Sequence, residues 1–354
     1  MKQFTSIFAT LILLIAFLST SAKVWRLNNN IGASADFTNF NAAVSSTSVL
    51  DGDTLHIEAS ATGYGAATIN KKLTIIGPGY FLDPSNTTTP ANPGLQYKPQ
   101  NGWVSSVNFV AGSSGTKFIG VSFGGGSLYG DLLTNITLEK CLINQDVNFY
   151  NNGNTNVTIR KCFIYGAGIN CTSGSLSNFT FENNIVYEYW GKVNLPSLTG
   201  SNNIFRNNSF YANVATSAIS NCYVANNIFY NSGGTPVNFI NCNIKNNIFS
   251  QNQTFTNNVE SGNSINVNMA TVYTLGTSNS LDSRMVLKTG SPAIGYGVTV
   301  GVVTNPDCGA FGATDPYKLS GIPSIPTIYN IVAPSSILSG AGTMNVTFST
   351  RNNN

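Results

Sequence analysis

Only 9% of the 354 residues are charged, and the formal net charge is +3, too weak a field to recruit nucleic acid or an acidic membrane surface. A single His excludes a multi-histidine metal centre. With 49 Asn and 34 Gly the composition leans toward disorder, yet 42% of the residues are hydrophobic, and they recur at intervals that can bury a continuous core.

Lys2, an apolar run from Ile7 to Leu18 and Thr20-Ser21-Ala22 make a signal-peptide pattern, with cleavage expected after Ala22. The run is too short for a membrane span. Residues 1–22 are therefore read as a leader, and the mature chain as secreted, extracellular or on the outer cell surface. From Ala35 to Ser46 a short helix is predicted, with Phe37, Phe40, Ala43 and Val44 on one face and Asp36 as N-cap. Such a helix would plug the open end of a coil stack. Strands follow, with Leu55 and Ile57 inward, then KKLTIIGPGYF from Lys71 to Phe81 with its Gly-Pro-Gly break. Pro and Thr between Leu82 and Val104 read as a long loop.

From Asn135 to Phe249 one phrase recurs. It reads NITLEKCLI at Asn135, NVTIRKCFI at Asn156, NFTFENNIV at Asn178, NNIFRNNSF at Asn202, NCYVANNIF at Asn221 and NCNIKNNIF at Asn241. A looser copy, GTKFIGVSF, starts at Gly115. A period near ~20 residues with β-rich content indicates a solenoid. Each copy would be one turn of a parallel β-helix, stacked at ~4.8 Å, about ten turns in all. Counting the first residue as position zero, positions three (Phe118, Leu138, Ile159, Phe181, Phe205, Val224, Ile244) and eight (Phe123 to Phe249) are apolar throughout. Both should line the core. Position six holds Cys141, Cys162, Asn184, Asn208, Asn227 and Asn247. Stacked amides there can pass hydrogen bonds between turns, and Asn tolerates the left-handed geometry of a sharp corner. Position four alternates Glu139, Arg160, Glu182, Arg206, a charge ladder facing water. Position seven points outward yet is mostly apolar (Leu142, Phe163, Ile185, Ser209, Ile228, Ile248), so a partner or another segment should cover it. Residues Gln251 to Ser280 continue the stack more weakly, and the tail from Ser324 offers two strand-like runs that could dock on position seven.

Stacked Cys141 and Cys162, like Cys222 and Cys242, read as buried thiols serving as small apolar groups. Cys171 and Cys308 have no evident partner, and no Cys/His spacing suggests zinc.

A resemblance rests on GDTLHIEASATGYGAATINKKLTIIGPGYF, on LKTGSPAIGYG (Leu287 to Gly297) and on CGAFGATDPYKLSGIP (Cys308 to Pro323). These passages resemble the opening and closing segments of secreted right-handed parallel β-helix proteins of the pectin-lyase-like superfamily, of the type found in Bacteroidetes. The resemblance implies an all-β fold. It consists of a right-handed parallel β-helix over 23–323 with a short N-terminal helical cap, and a short tail over 324–354. The superfamily includes lyases, hydrolases and adhesins, so it implies no single activity. Its lyases hold Ca2+ on several Asp or Glu of one sheet, with Lys or Arg as base; its hydrolases use clustered Asp.

The acids within the repeats are Asp131, Glu139, Asp146, Glu182, Glu188 and Glu260, and they do not share a column on adjacent turns. Glu139 and Glu182 share one two turns apart, about 10 Å, with Arg160 between them. Glu139, Glu182 and Arg160 are the catalytic candidates, but Arg160 would hold both carboxylates ionised where a general acid needs a raised pKa, and the column reads more readily as a structural ladder. His56 shares a strand face with Glu58, and Asp51-Gly52-Asp53 resembles a fragment of a calcium loop but reads as a turn. No metal site is expected, and Ca2+ enters only if the chain is a lyase. The ligand-binding candidates are Tyr187, Glu188, Tyr189, Trp190 and Lys192, in the longest repeat, where extra residues must bulge. Aromatic faces there can stack on sugars while charges orient hydroxyls or uronates. The packing alternative is that these rings fill the bulge. The sequence thus reads as an exported, monomeric, non-catalytic β-helix that binds polysaccharide or a cell-surface glycan or matrix partner. The alternatives are a lyase or glycoside hydrolase acting on acidic polysaccharide, and a structural spacer.

Overall fold

Each repeat must reverse direction within a few residues, and its corners show how. The computed structural model describes residues 22–83, 97–130, 132–188, 192–212, 218–231, 236–276, 280–337 and 339–353. Position five is left-handed in every copy: Gly120, Lys140, Lys161, Asn183, Asn207, Asn226, Asn246 and Gly262 have φ between +49° and +66°. Position zero repeats the device at Asn135, Asn156, Asn178, Asn221 and Asn241. Asn and Gly adopt this region at least cost, which accounts for the composition. The left-handed corner therefore lies one residue before the amide column that was expected to form it.

Between corners the strands stack in parallel. Among the described residues, one sheet has eleven strands, from Val24–Leu27 through Thr158–Arg160 and Thr180–Glu182 to Val259–Ser261. A second runs from Ala67–Ile69 to Ile248–Phe249, and Asn154–Thr155, Leu176–Ser177 and Leu198–Thr199 form a small third sheet. The result is an all-β parallel solenoid of about eight turns. In the apolar column Phe181 pairs with Phe205, and Phe205 with Val224; the two rings stack at 4.9 Å. Phe210, Phe229 and Phe249 repeat that spacing at position eight.

The N-terminal helix, Phe40–Ser45, buries Phe40, Ala43 and Val44. It is shorter than expected because Phe37 is drawn into a parallel bridge with Leu27. Its N-cap is Asn39, which accepts from Ala42 N at 2.7 Å. Asp36 accepts instead from Arg26 N at 2.8 Å.

Position six carries a continuous amide ladder. Asn184, Asn208, Asn227 and Asn247 are fully buried. The backbone N–H of each of the first three donates to Oδ1 of the next at 2.9 Å. Each Nδ2 donates to a position-three carbonyl of the preceding turn, as Asn208 does to Phe181 at 2.9 Å. Cys162 N joins the ladder through Asn184 Oδ1 at 2.9 Å, and Cys141 N through Cys162 Sγ at 3.4 Å. All six cysteines are buried and free. Asn247 N donates onward to Asn263 at 3.0 Å. Asn263 belongs to a further copy starting at Asn257, within the stretch expected to continue the stack; its signal is weak because its position three is Glu260, which pairs with Ile244. An exposed carboxylate at the foot of the apolar column discourages another chain from adding there.

After that rung the chain leaves the stack. Residues 269–276 and 280–317 cross the outer face of the second sheet and bury Leu142, Phe163, Ile185, Ile228 and Ile248 beneath Met269, Val272, Tyr273, Met285, Cys308 and Tyr317. Ser209, the polar exception at position seven, lies where Gly309 approaches, and its Oγ accepts from Ala310 N at 3.0 Å. The corner asparagines stitch this segment down. Asn183 Nδ2 donates to Ala310 O at 2.9 Å and Gly312 O at 2.8 Å, Asn207 to Asp307 O at 3.1 Å, and Asn246 to Tyr296 O at 2.8 Å. Asn226 donates to Val298 O at 2.9 Å and accepts from Val298 N at 2.8 Å. The closing segment, not the tail, thus covers position seven. The tail forms an antiparallel hairpin, Thr327–Val332 with Thr347–Arg351, and lies beside His56 and Tyr97.

Asn208→Ala would leave the Asn184 N–H and the Phe181 carbonyl without partners, at roughly 2–5 kcal/mol, whereas exposed Asn152→Ala should change stability by no more than about 0.5 kcal/mol. Urea unfolding of the two variants checks the contrast. Glu260→Val should make the chain self-associate with concentration, as read by sedimentation velocity.

Candidate functional site

The position-four column is assembled as the sequence implies: Glu139, Arg160, Glu182 and Arg206 occupy successive rungs. They form two separate pairs. Arg160 Nη2 lies 2.8 Å from Glu139 Oε2, and Arg206 Nη2 lies 2.9 Å from Glu182 Oε2. Lys161 adds a second cation 3.5 Å from Glu139 and also pairs with Asp315 of the closing segment. Arg160 therefore holds one carboxylate rather than both. Burial is the largest single influence and opposes its charge, but the Glu139 hydrogen bond together with the charges of Glu139, Asp315 and Glu182 outweighs it and raises the guanidinium above its ordinary value. A group so held is no base. An inverting pair needs one carboxyl free to hold and release a proton, and each carboxylate here is engaged by a guanidinium.

His56 is half-buried beside the tail, and burial lowers its pKa below the ordinary value. Its neighbour Glu58 binds Arg26 Nε and Asn28 Nδ2, both at 2.6 Å. Asp51 and Asp53 serve the turn they were read as: Asp51 accepts from Lys72 N at 3.0 Å. Asp53 accepts from Lys23 N and Trp25 Nε1 at 2.8 Å and from Leu50 N at 2.9 Å. A carboxylate the sequence did not flag is Asp282, fully buried, accepting from Ser283 N at 2.9 Å, Ser320 N at 2.8 Å and Tyr317 Oη at 3.2 Å. Burial raises its pKa. It pins two stretches of the closing segment together. Among the described residues, no group of three or more His, Cys, Asp or Glu side chains converges to hold a metal. Nor is any helix among them long and apolar enough to cross a membrane.

Of the residues singled out for binding, Tyr189 and Trp190 lie outside the described residues, as does the side chain of Glu188. Lys192 stands on a branch strand, Lys192–Asn194, paired with Gly168–Asn170. Tyr187 is one member of a row. Tyr165, Tyr187, Tyr211 and Tyr230 occupy position nine on four successive rungs of the second sheet. Position nine lies one residue beyond the repeated nine-residue phrase. Their ring centroids are 6.3, 5.0 and 4.7 Å apart. The first three rings stack with planes within 16° of parallel, and Tyr230 meets Tyr211 at 89°. All four are half-buried along the margin of the closing segment. Burial raises the Tyr211 phenol, with Tyr230 and Tyr187 adding to the shift and Arg284 opposing it, so this hydroxyl keeps its proton and can donate. Stacked rings cover one another's faces; edges and hydroxyls are what such a row offers outward.

A second concavity lies elsewhere, at a corner of the solenoid. It is an open groove of about 850 Å³ between the Thr199–Ser201 corner and the rungs bearing Tyr223 and Asn243. No protein-family model matches the chain, and no curated protein matches it.

Acid denaturation tests the Asp53 turn. Burial alone would raise this carboxyl, but the Leu50, Lys23 and Trp25 donors outweigh burial and hold it below its ordinary value. Its stabilising contribution is therefore complete above the unfolded value of about 3.9 and is lost as pH falls through the folded value. Asp53→Asn should flatten the stability-against-pH curve below about pH 4, measured by thermal melts across that range.

Proposed function

We propose that this chain is an exported, non-catalytic β-helix of the right-handed, pectin-lyase-like kind, and that it binds an extended glycan along the tyrosine row. The observation that carries the reading is the row itself, with Tyr165, Tyr187, Tyr211 and Tyr230 on consecutive rungs at 4.7 to 6.3 Å. A linear polymer lying along the solenoid axis would meet one phenol per rung, so weak contacts add up along its length. Tyr supplies an apolar body and a hydrogen-bonding tip, suited to a ligand whose own surface alternates C–H and O–H. The ion pairing of Glu139 and Glu182 supports a binding role over hydrolysis or elimination.

Export has its own consequence. Cleavage after Ala22 would make Lys23 the first residue, and its nitrogen lies 2.8 Å from Asp53 Oδ1. The new ammonium would then form an ion pair with a carboxylate already in place.

The test is retention on immobilised neutral and acidic polysaccharides, with and without calcium. Binding independent of calcium is expected, and Tyr187→Ala with Tyr211→Ala should weaken it about ten- to a hundredfold. Absorbance of unsaturated product should stay flat. Product formation that disappears in Glu139→Gln or Glu182→Gln would replace this reading with a lyase or hydrolase, and no retention at all would favour a spacer.

A further inference from the structure

We propose that the pocket between the first rungs and the tail is a binding site for a small carboxylate with an apolar body. The pocket arises where two surfaces meet without pairing. Arg26, His56, Ile76 and Ile119 stand in one column of the first sheet, in line with Glu139. Leu55 and Ile57 point into the core, so this column points outward. The tail crosses this end of the sheet and is fastened to the solenoid. Tyr97 N donates to Ile328 O at 2.9 Å, and Lys140 Nζ to Ser324 Oγ at 3.2 Å. Pro78, Pro323 and Pro326 line the gap, and proline has no backbone N–H with which to bridge it. A cavity of about 370 Å³ remains, at the small end of the range of small-molecule sites.

One wall is apolar, built from Ile325, Ile328 and Ile331 of the tail. The charged and titratable lining is His56, Glu58, Tyr97 and Lys98. Glu58 is engaged by Arg26 and Asn28. His56 is different. Among the described residues its imidazole has neither a hydrogen-bond nor an ion-pair partner. Its ring nitrogens are not closed off from solvent, so a molecule in the pocket can reach them. Lys98, exposed at the rim, forms no ion pair among the described residues. Tyr97, 53% exposed, offers a ring at the same rim. The charge left uncancelled in the lining is thus a cation beside an apolar wall, next to an imidazole that can donate or accept. A carboxylate between Lys98 and His56, with a ring or branched chain against the isoleucines, complements both parts. A bare inorganic anion would leave the wall unfilled, and a neutral apolar molecule would leave the two polar groups without a partner. Burial lowers the His56 pKa below its ordinary value, with Glu58 opposing the shift and Arg26 adding to it. The tail adds no titratable side chain to the lining, so Arg26, Glu58, Tyr97 and Lys98 are the titratable groups around the ring. A bound carboxylate would favour the imidazolium, so binding takes up a proton and tightens as pH falls. None of these residues belongs to the tyrosine row, so the site stands or falls independently of it.

The chain has a single His, so one imidazole C–H signal in the NMR spectrum of the untagged mature chain reports on the pocket. The probes are phenylpropionate, the alcohol phenylpropanol and the amine phenylpropylamine, with affinities read by calorimetry. Phenylpropionate should bind with a Kd below about 1 mM, move the His56 signal and raise its titration midpoint. It should bind at least about threefold more tightly at about pH 5.5 than at about pH 8. The alcohol should bind at least about tenfold more weakly, and the amine more weakly still. Lys98→Gln should weaken phenylpropionate at least about fivefold with the melting temperature unchanged, since the side chain is exposed. His56→Gln should flatten the pH dependence of binding. The proposal fails if phenylpropionate leaves the His56 signal where it was, or if the alcohol or the amine binds as tightly. It fails as well if Lys98→Gln and His56→Gln both bind phenylpropionate as the parent does, with the same pH dependence.

Discussion

A side-chain amide that accepts from the turn behind and donates to that turn's carbonyl is the constraint on which this molecule depends. A parallel stack leaves backbone groups at every corner without strand partners, and buried groups of that kind are costly. Asn184, Asn208, Asn227, Asn247 and Asn263 satisfy them in one unbroken column. The side chain has the right length and carries both a donor and an acceptor. Because each amide needs the next in register, the ladder fixes the stacking that places Phe181 over Phe205 and one tyrosine over another. The recurring Asn-Asn pair divides the work. The second Asn faces inward and joins turns, while the first takes the left-handed corner and binds the closing segment.

The repeats made the core legible. Positions three, six and eight could be read directly, since one face of each strand is buried and the period leaves little freedom. Position seven was legible as a problem, an outward apolar stripe, without its solution. Covering it depends on hydrogen bonds from Asn183, Asn207 and Asn226 to carbonyls more than seventy residues away, and backbone carbonyls leave no mark in sequence. The final rung was legible only as a weak continuation, because Glu260 interrupts the apolar column while Asn263 keeps the ladder.

The site was less legible, for a different reason. Tyr187 stood out through its neighbours in the bulge, whereas the structure relates it to Tyr165 and Tyr211 on adjacent rungs. Residues some twenty positions apart become neighbours only when register is known. The pocket beneath the tail was missed because His56, Tyr97 and Ile328 belong to three stretches far apart in the chain, and in sequence His56 had only Glu58 to be read against.

The seam of corner asparagines gives the molecule a mechanical grain. Its bonds to Tyr296, Val298, Asp307 and Ala310 follow one line along the axis, so a pull on the carboxyl end would load them one after another, like a zip. The turns beneath are held by ladders and sheets that share such a load side by side. Under tension the outer strap would peel away first and bare the stripe of Phe163, Ile185 and Ile228, while the inner stack kept its shape.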